Sequence, residues 1–367
     1  MGGSMTMLPD AIENTVGNSE VTWEKVRKQN YGIDLKMFGS RLSLTADYFF
    51  EPRYDILSTR NTLPSIVAIE LPLINLGEVD NRGYEISLGW NSHTEKIDWW
   101  LQGNVSYSKN KIIFMDEVMP NYPWMAQTGR STGLNYGYRF DRFLRADDFD
   151  ADGALKSDGE GKPLLPVMSL GSPRPGDALF NALNGDGKID GNDKTYFGYS
   201  QRPDYVLGLL GGFRYKNFEI SMQWTAGLHA SRMLSGEYRN AFGSTNGRAL
   251  LKFLADGRWT PENPDARFPR LTFLNKSHYL EDSDLWLMDG SYLRLKVAEI
   301  GYTFRDIPAF RKVGVKSLKV YFSGYNLLTL FSDLNDIDID PEGATSGSNI
   351  DSYPNVRIFN FGVNITF

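Results

Sequence analysis

Cysteine is absent from all 367 residues, which excludes disulfides, thiolate zinc sites and cysteine nucleophiles without fixing a compartment. Only three histidines occur, His93, His229 and His278, widely spaced, so the sequence offers no transition-metal cluster. No stretch of ~18 consecutive apolar residues exists, which excludes a membrane-spanning helix and leaves a membrane β-barrel open, because barrel strands are apolar on one face alone. There is no basic block either. The 39 Lys and Arg and 45 Asp and Glu are spread along the chain for a net charge of −6, which argues against nucleic-acid binding. The opening "MGGSMTM" has no apolar signal core, and residues 1–15 read as a tag or a truncated lead-in.

What the chain has in abundance is aromatic side chains, 19 Tyr, 22 Phe and 8 Trp, together with 36 Gly, a composition that favours β architecture. Period-two alternation is its dominant pattern. In "FEISMQW", Phe218, Ile220, Met222 and Trp224 share one face, and Glu219, Ser221 and Gln223 the other. "YEISLGW" (84–90) and the terminal "FNFGVNITF" (359–367) alternate in the same way. About ten strands are predicted, near residues 28–37, 41–51, 83–91, 97–109, 134–143, 203–215, 218–228, 292–304, 317–326 and 357–367. Short turns at 38–41, 91–96 and 215–218 contrast with long polar stretches at 52–80, 144–202, 229–285 and 327–356. That asymmetry is the layout of an outer-membrane barrel. In a barrel the apolar faces meet lipid, and aromatics gather at strand ends, where Trp90, Trp99, Trp100, Trp224, Tyr302 and Tyr321 are placed. In a soluble sandwich the same residues would form a core. The pattern alone leaves both open.

Four stretches carry a family resemblance. "VGNSEVTWEKVRKQNYGIDL" (16–35) and "NLGEVDNRGYEISLGW" (75–90), with Gly77, Asn81, Gly83 and Glu85 in place, resemble barrel segments of the SusC/RagA family of TonB-dependent outer-membrane transporters. "RWTPENPDARFPRL" (258–271) with "DLWLMDGSYLRLKVAEIGYTF" (284–304) is similar to a further family region. "VYFSGYNLLTLFSDLNDIDIDPE" (320–342) and "YPNVRIFNFGVNITF" (353–367) resemble its last two strands. The resemblance implies an all-β, antiparallel transmembrane β-barrel with long extracellular loops. This chain would supply about the last ten strands of a 22-stranded barrel, with residues 16–367 as the C-terminal barrel part. Phe367 matches the aromatic terminus such barrels carry.

By the same resemblance the protein sits in the cell outer membrane and imports glycans or peptides, with a SusD-like surface lipoprotein and with TonB acting through a plug that this chain does not match. It is expected not to transport alone and not to be an enzyme. Ten strands cannot close a barrel sized for 22. The alternative is a soluble, calcium-assisted carbohydrate-binding β protein.

Calcium enters through "NALNGDGKIDGND" (181–193). On a calcium-loop template Asn184, Asp186, Lys188 (through its carbonyl), Asp190 and Asp193 are the candidate ligands, with Gly187 at the turn, while Ala182 stands at the first ligand position, where many family members look acidic. The competing reading is an Asn-Gly-Asp-Gly turn bonded to its own backbone. A second acidic run, Asp148, Asp150 and Asp152, lacks a closing ligand. "GRSTG" (129–133) matches the nucleophile-elbow pattern at Ser131 but precedes a strand pattern, not a helix. Substrate-binding residues are not defined by the sequence, though Tyr196, Phe197, Tyr199 and Tyr238 are candidates for stacking on sugar rings.

Overall fold

The computed structural model describes residues 17–62, 72–94, 96–168, 171–242, 250–273, 277–305, 307–343 and 354–367. Residues 1–15, the predicted lead-in, lie outside the described residues. Nine long strands form one antiparallel wall: β1 (Gln29–Met37), β2 (Leu42–Ser58), β3 (Ile74–His93), β4 (Ile97–Phe114), β5 (Tyr205–Tyr215), β6 (Phe218–Leu228), β7 (Tyr292–Arg305), β8 (Ser317–Leu330) and β9 (Ile358–Thr366), each paired with the next in chain order. A two-residue strand, Lys25–Val26, continues the lane of β1 along β2 and brings the sheet to ten. Among the described residues neither β1 nor β9 has a strand on its other side.

Every short connection lies at one end of the wall. Phe38–Arg41 turns through positive φ at Phe38, Gly39 and Ser40, and Lys216–Asn217 makes a two-residue hairpin with Lys216 at φ 54°. A short helix, Pro308–Lys312, joins β7 to β8. The long connections, 59–73, 115–204, 229–291 and 331–357, all lie at the other end. The strands run further into this end than their apolar alternation indicates: β2 reaches Ser58 and β3 starts at Ile74, because the ladder continues where the side chains have become polar.

One predicted strand is corrected. Residues 134–143 do not enter the wall; Asn135–Gly137 pairs with Thr195–Phe197, and Phe140–Phe143 with Ala178–Phe180, inside the long 115–204 connection. β5 pairs with β4 continuously from Tyr205↔Tyr107 to Tyr215↔Ile97, so no lane is free between them. Parity gives the reason. One more crossing there would put the Lys216–Asn217 hairpin at the long-loop end.

The two faces of the wall differ sharply. On one, cross-strand rows run Tyr31–Tyr48–Tyr84–Tyr107–Tyr205, then Leu35–Leu44–Leu88–Gly103–Leu209–Trp224–Leu295–Leu328, then Trp99–Phe213–Ile220–Ile300–Phe322–Phe361. Most of these large apolar side chains are exposed. From Ile97 to Tyr107, β4 covers about ten residues, the length a tilted strand needs to cross hydrocarbon. Trp90, Trp99 and Tyr302 hold the expected end positions, whereas Trp224 lies in the middle of a leucine row. Trp100 and Tyr321 point to the opposite, polar face, where their rings cover Gly212 and Gly362. On that face Arg214 pairs with Glu219 at 3.0 Å and Lys319 with Glu299 at 2.9 Å near the short-turn end.

The buried apolar core is not in the wall. Its members, among them Tyr138, Phe180, Leu234, Leu254, Trp286 and Leu334, all belong to the 115–204, 229–291 and 331–357 connections, which fold together into a cap. Helix Lys252–Asp256 contributes Leu254, and Phe180 stacks on Tyr138 at 5.2 Å. Because cap and wall have separate apolar reservoirs, a core deletion in the cap is expected to spare the wall. Phe180→Ala should cost the cap about 3–5 kcal/mol and open it to limited proteolysis between residues 115 and 204, while the detergent-resistant, heat-modifiable mobility of the barrel stays as in the parent. Loss of both together would show that cap and wall fold as one unit.

Candidate functional site

The polar face meets the cap in a groove of about 920 Å³. Its floor is a set of cross-strand pairs, Glu51↔Asn81↔Asn110 and Arg53↔Val79, and Ser200–Asp204 with Thr132 and Gly133 form its rim. Ser108 donates its hydroxyl to Asn81 Oδ1 at 2.9 Å, and Asn81 Nδ2 donates to Glu51 at 3.4 Å. Arg53 pairs with Glu24 at 3.0 Å and Lys28 with Glu51 at 3.7 Å. These exposed pairs add little stability, about 0–1 kcal/mol each. They leave donors and acceptors of both signs open to a ligand.

The residues that carry the family resemblance shape this floor. Gly83 is required by close approach: a Cβ there would lie 1.9 Å from the Tyr107 carbonyl oxygen and 2.5 Å from the Phe49 ring. Gly77 has the same role beside Ile56 and Ser58. Asn81 is the centre of the hydrogen-bond chain, and Glu85 accepts from the Ser106 hydroxyl at 3.2 Å.

Two buried ion clusters hold the cap. Asp177, fully buried, receives Arg270 at 2.7 and 3.4 Å and the Arg174 backbone N–H at 2.8 Å, which ties 115–204 to 229–291. Gly176 beside it has φ +86°, and its α-carbon faces the Trp259 ring with no room for a Cβ. On β7, Arg294 reaches Asp340 at 2.9 Å, Glu342 at 2.7 Å and the Thr329 hydroxyl at 3.0 Å, and Lys296 also reaches Glu342. This pins 331–357 to the wall. The sequence reading missed both clusters. Their partners are separated by up to 93 residues, and nothing local marks Asp177 among the acids.

The candidate calcium loop takes its shape from its own backbone. Asn184 Oδ1 accepts from the Asp186 N–H (3.1 Å), Asp186 Oδ1 from the Lys188 N–H (2.8 Å) and Asp190 Oδ1 from the Asn192 N–H (2.8 Å). Buried Asp193 accepts from Leu183, Asn184 and Asp190 N–H groups at 2.7, 3.3 and 2.9 Å. Lys188 pairs with Val167 in a two-residue parallel ribbon. Asp186, Asp190 and Asp193 are not gathered around a common point: among the described residues no group of three or more His, Asp or Glu stands close enough to hold a metal ion. Ala182 brings no side-chain ligand to the first position, and the loop stands as a self-bonded turn stapled by Asp193.

The other candidates are also engaged. Asp148 is held by Arg142 at 2.6 and 2.8 Å and by the Arg145 N–H, and Asp150 accepts from the Asp152 and Ala154 N–H groups. Phe197 is buried, Tyr199 stacks on His229 at 4.5 Å, Tyr196 packs on Tyr136 at 4.7 Å under Arg130, and Tyr238 stacks on Phe253 at 6.0 Å. Of the four, Tyr199 alone is exposed. Ser131 donates its hydroxyl to the Asn110 carbonyl at 2.8 Å, as a rim contact of the groove. Buried His278 lies 3.1 Å from the Gly171 carbonyl and His93 beside Asp98, so the three histidines stay apart.

A long up-and-down wall with an apolar outer face, a polar inner face and a structured cap at one end defines a piece of membrane β-barrel. Residues 4–327 match the family described as TonB dependent receptor-like, β-barrel, and the chain belongs to that family. It is 30 % identical over 95 % of its length to TonB-dependent receptor P3 of Formosa agariphila, covering 35 % of that protein. To TonB-dependent receptor SusC of Bacteroides thetaiotaomicron it is 24 % identical over 95 % of its length, covering 32 %. The fold is that of one chain of the RagAB peptide importer in its open-open state, with a TM-score of 0.67 at 20 % identity over 96 % of this chain and 36 % of that one. The chain thus spans about a third of the length of the curated relatives it matches.

Two outcomes follow from the carboxylates of the cap. Hydrogen bonds and charge from Arg142, joined by the Arg145 N–H, hold the Asp148 carboxyl below its ordinary value of 3.8. A depressed acid stabilises the fold fully above its unfolded pKa and loses that contribution as pH falls through the lower folded value. Cap proteolysis is therefore expected to rise as pH drops below 3.8, and Asp148→Asn to flatten that part of the profile; an unchanged profile in the variant would remove Asp148 as the cause. Calcium, by contrast, is expected to leave the thermal midpoint of the cap unchanged. Asp193→Ala should lower that midpoint with or without calcium, since each amide left unpaired costs about 1–3 kcal/mol of stability. A saturable calcium shift abolished by Asp186→Asn would establish the metal site instead.

Proposed function

We propose that this chain is the C-terminal part of the barrel, residues 16–367, of an outer-membrane transporter that takes up glycans or peptides, with residues 1–15 as lead-in. The observation that carries the reading is the pairing of a lipid-type outer face with a groove of mixed charge under a rigid cap. In that reading the nine staves are completed by further strands, since open edges are untenable in hydrocarbon. A plug outside this chain receives energy from TonB. A SusD-like lipoprotein sits over the long-loop end, a reading supported by the likeness to SusC and to the RagAB importer. In this reading the chain does not import alone, and the function proposed is transport, supported by the likeness to TonB-dependent receptors. A soluble carbohydrate-binding protein is disfavoured by the exposed rows of leucine and aromatic residues, which a soluble fold would cover.

Membrane fractionation with boiled and unboiled electrophoresis in detergent tests this directly. A heat-modifiable protein in the outer-membrane fraction is expected, and a detergent-independent supernatant protein would overturn the assignment. For the groove, Glu51→Gln combined with Arg53→Gln in the intact transporter should reduce uptake of its ligand about tenfold or more, because charge-assisted hydrogen bonds are each worth about 1.5–3 kcal/mol. Unaltered uptake would place the ligand elsewhere. Labelled oligosaccharides and oligopeptides supplied side by side decide the ligand class.

A further inference from the structure

The register of β1 to β5 aligns five tyrosines, Tyr31, Tyr48, Tyr84, Tyr107 and Tyr205, in one row across the apolar face. Tyrosine rows of this kind stand where hydrocarbon gives way to lipid head groups. One step further toward the long-loop end on the same face comes the row Gln29–Phe50–Arg82–Lys109, and beyond it Pro52–Asp80–Lys111. Arg82 and Lys109 are direct cross-strand partners, an arrangement of like charges that is destabilising when nothing lies between them. Of the acids nearby, Asp204 alone pairs with a member of this row, and it relieves the repulsion only in part. Asp204 is 3.7 Å from Lys109, which stays half exposed, and Asp80 stands opposite Lys111 without an ion pair. Arg82 and Lys111 are both exposed, and among the described residues neither has a carboxylate within ion-pair distance.

We propose that Arg82, Lys109 and Lys111 form a docking site for the phosphates of anionic membrane lipid, at the head-group level just above the tyrosine row. The inference rests on the reading that this face of the wall meets lipid. Chemistry and position agree: a phosphate between Arg82 and Lys109 turns a repulsive cross-strand pair into two charge-assisted contacts, Arg82 offering its planar fork and the lysines point charges. Tyrosine hydroxyls of the row below supply further donors. A basic cluster on the outer face at this height attracts anionic head groups.

The test uses the intact polypeptide that carries this wall, purified in dodecyl maltoside, and reads the temperature at which the heat-modifiable band is lost. Doping the micelles with phosphatidylglycerol is expected to raise that temperature in a saturable way, and phosphatidylcholine is not. The triple variant R82Q/K109Q/K111Q should lose most of the shift, and R82Q alone part of it should the triple variant fail to assemble. K216Q, which removes a charge from the opposite end of the wall, should keep it. Three results would overturn the proposal: an equal shift with phosphatidylcholine, a shift retained by the triple variant or lost by K216Q, and a shift reproduced in full by inorganic phosphate. Absence of any heat-modifiable form would overturn the membrane reading and this site with it. A heat-modifiable barrel with no preference for the anionic lipid sinks the site alone.

Discussion

A backbone N–H or C=O inside hydrocarbon has no water to bond to, so a polypeptide crosses a membrane as strands only if each strand is paired along its length by its neighbours. That constraint organises everything else in this chain. It explains why β5 follows β4 in the sheet although the 115–204 connection separates them in sequence, and why their pairing runs without a break from Tyr205↔Tyr107 to Tyr215↔Ile97. It also explains where irregularity is tolerated. Two register shifts, between Arg53 and Leu57 and at Glu78/Val79, lie toward the long-loop end of their strands, where cap or water can bond the freed groups, and a third, where Gln223/Trp224 meets Leu295–Val297, lies at the level of the leucine row.

With the apolar side chains of the wall turned outward, no hydrophobic core remains between its strands, and cohesion there comes from the ladder itself. The cap solves the opposite problem. It projects from the wall on the side where the chain must be folded against water, and it buries its own Phe, Leu and Trp residues as a small soluble domain would. The chain thus uses two solvents and two packing rules. Arg294 sits where they meet, on a wall strand but buried under Asp340 and Glu342 of the 331–357 connection.

This division sets what could be read from the sequence. Strands bounded by tight turns were legible almost to the residue: the Phe218–Leu228 alternation coincides with β6, because the lipid-facing and polar positions differ so strongly that one residue of slip would reverse them. Period two at 134–143 was equally real and led to the wrong place, since alternation reports a half-buried strand without saying which strand it pairs with. Trp224 shows the same limit on a smaller scale, its type suggesting an interface and its register placing it among leucines. In the 181–193 loop the spacing of Asn and Asp was visible, but not that Asp193 would turn inward to three backbone amides. The groove residues Asn81 and Gly83 were legible as a motif, and only the fold shows that Gly83 makes room for Phe49.

The clamps also bear on how a ligand could pass. Separating 115–204 from 229–291 would leave Asp177 or Arg270 as an unpaired buried charge, at a cost of about 3–5 kcal/mol, and it would divide the continuous apolar core as well. Lifting 331–357 from the wall carries a similar penalty at Arg294, which is buried beneath its two partly buried acids. Neither seam is a natural opening. The groove along Glu51, Arg53, Asn81 and Asn110 already lies open beside the cap, and its ion pairs are exposed and weakly held. Rearranging Arg53 against Glu24 or Lys28 against Glu51 exchanges one solvated contact for another. In the proposed transporter, a polar ligand moving along that floor would meet partners that change over at low cost, while the cap beside it keeps its shape.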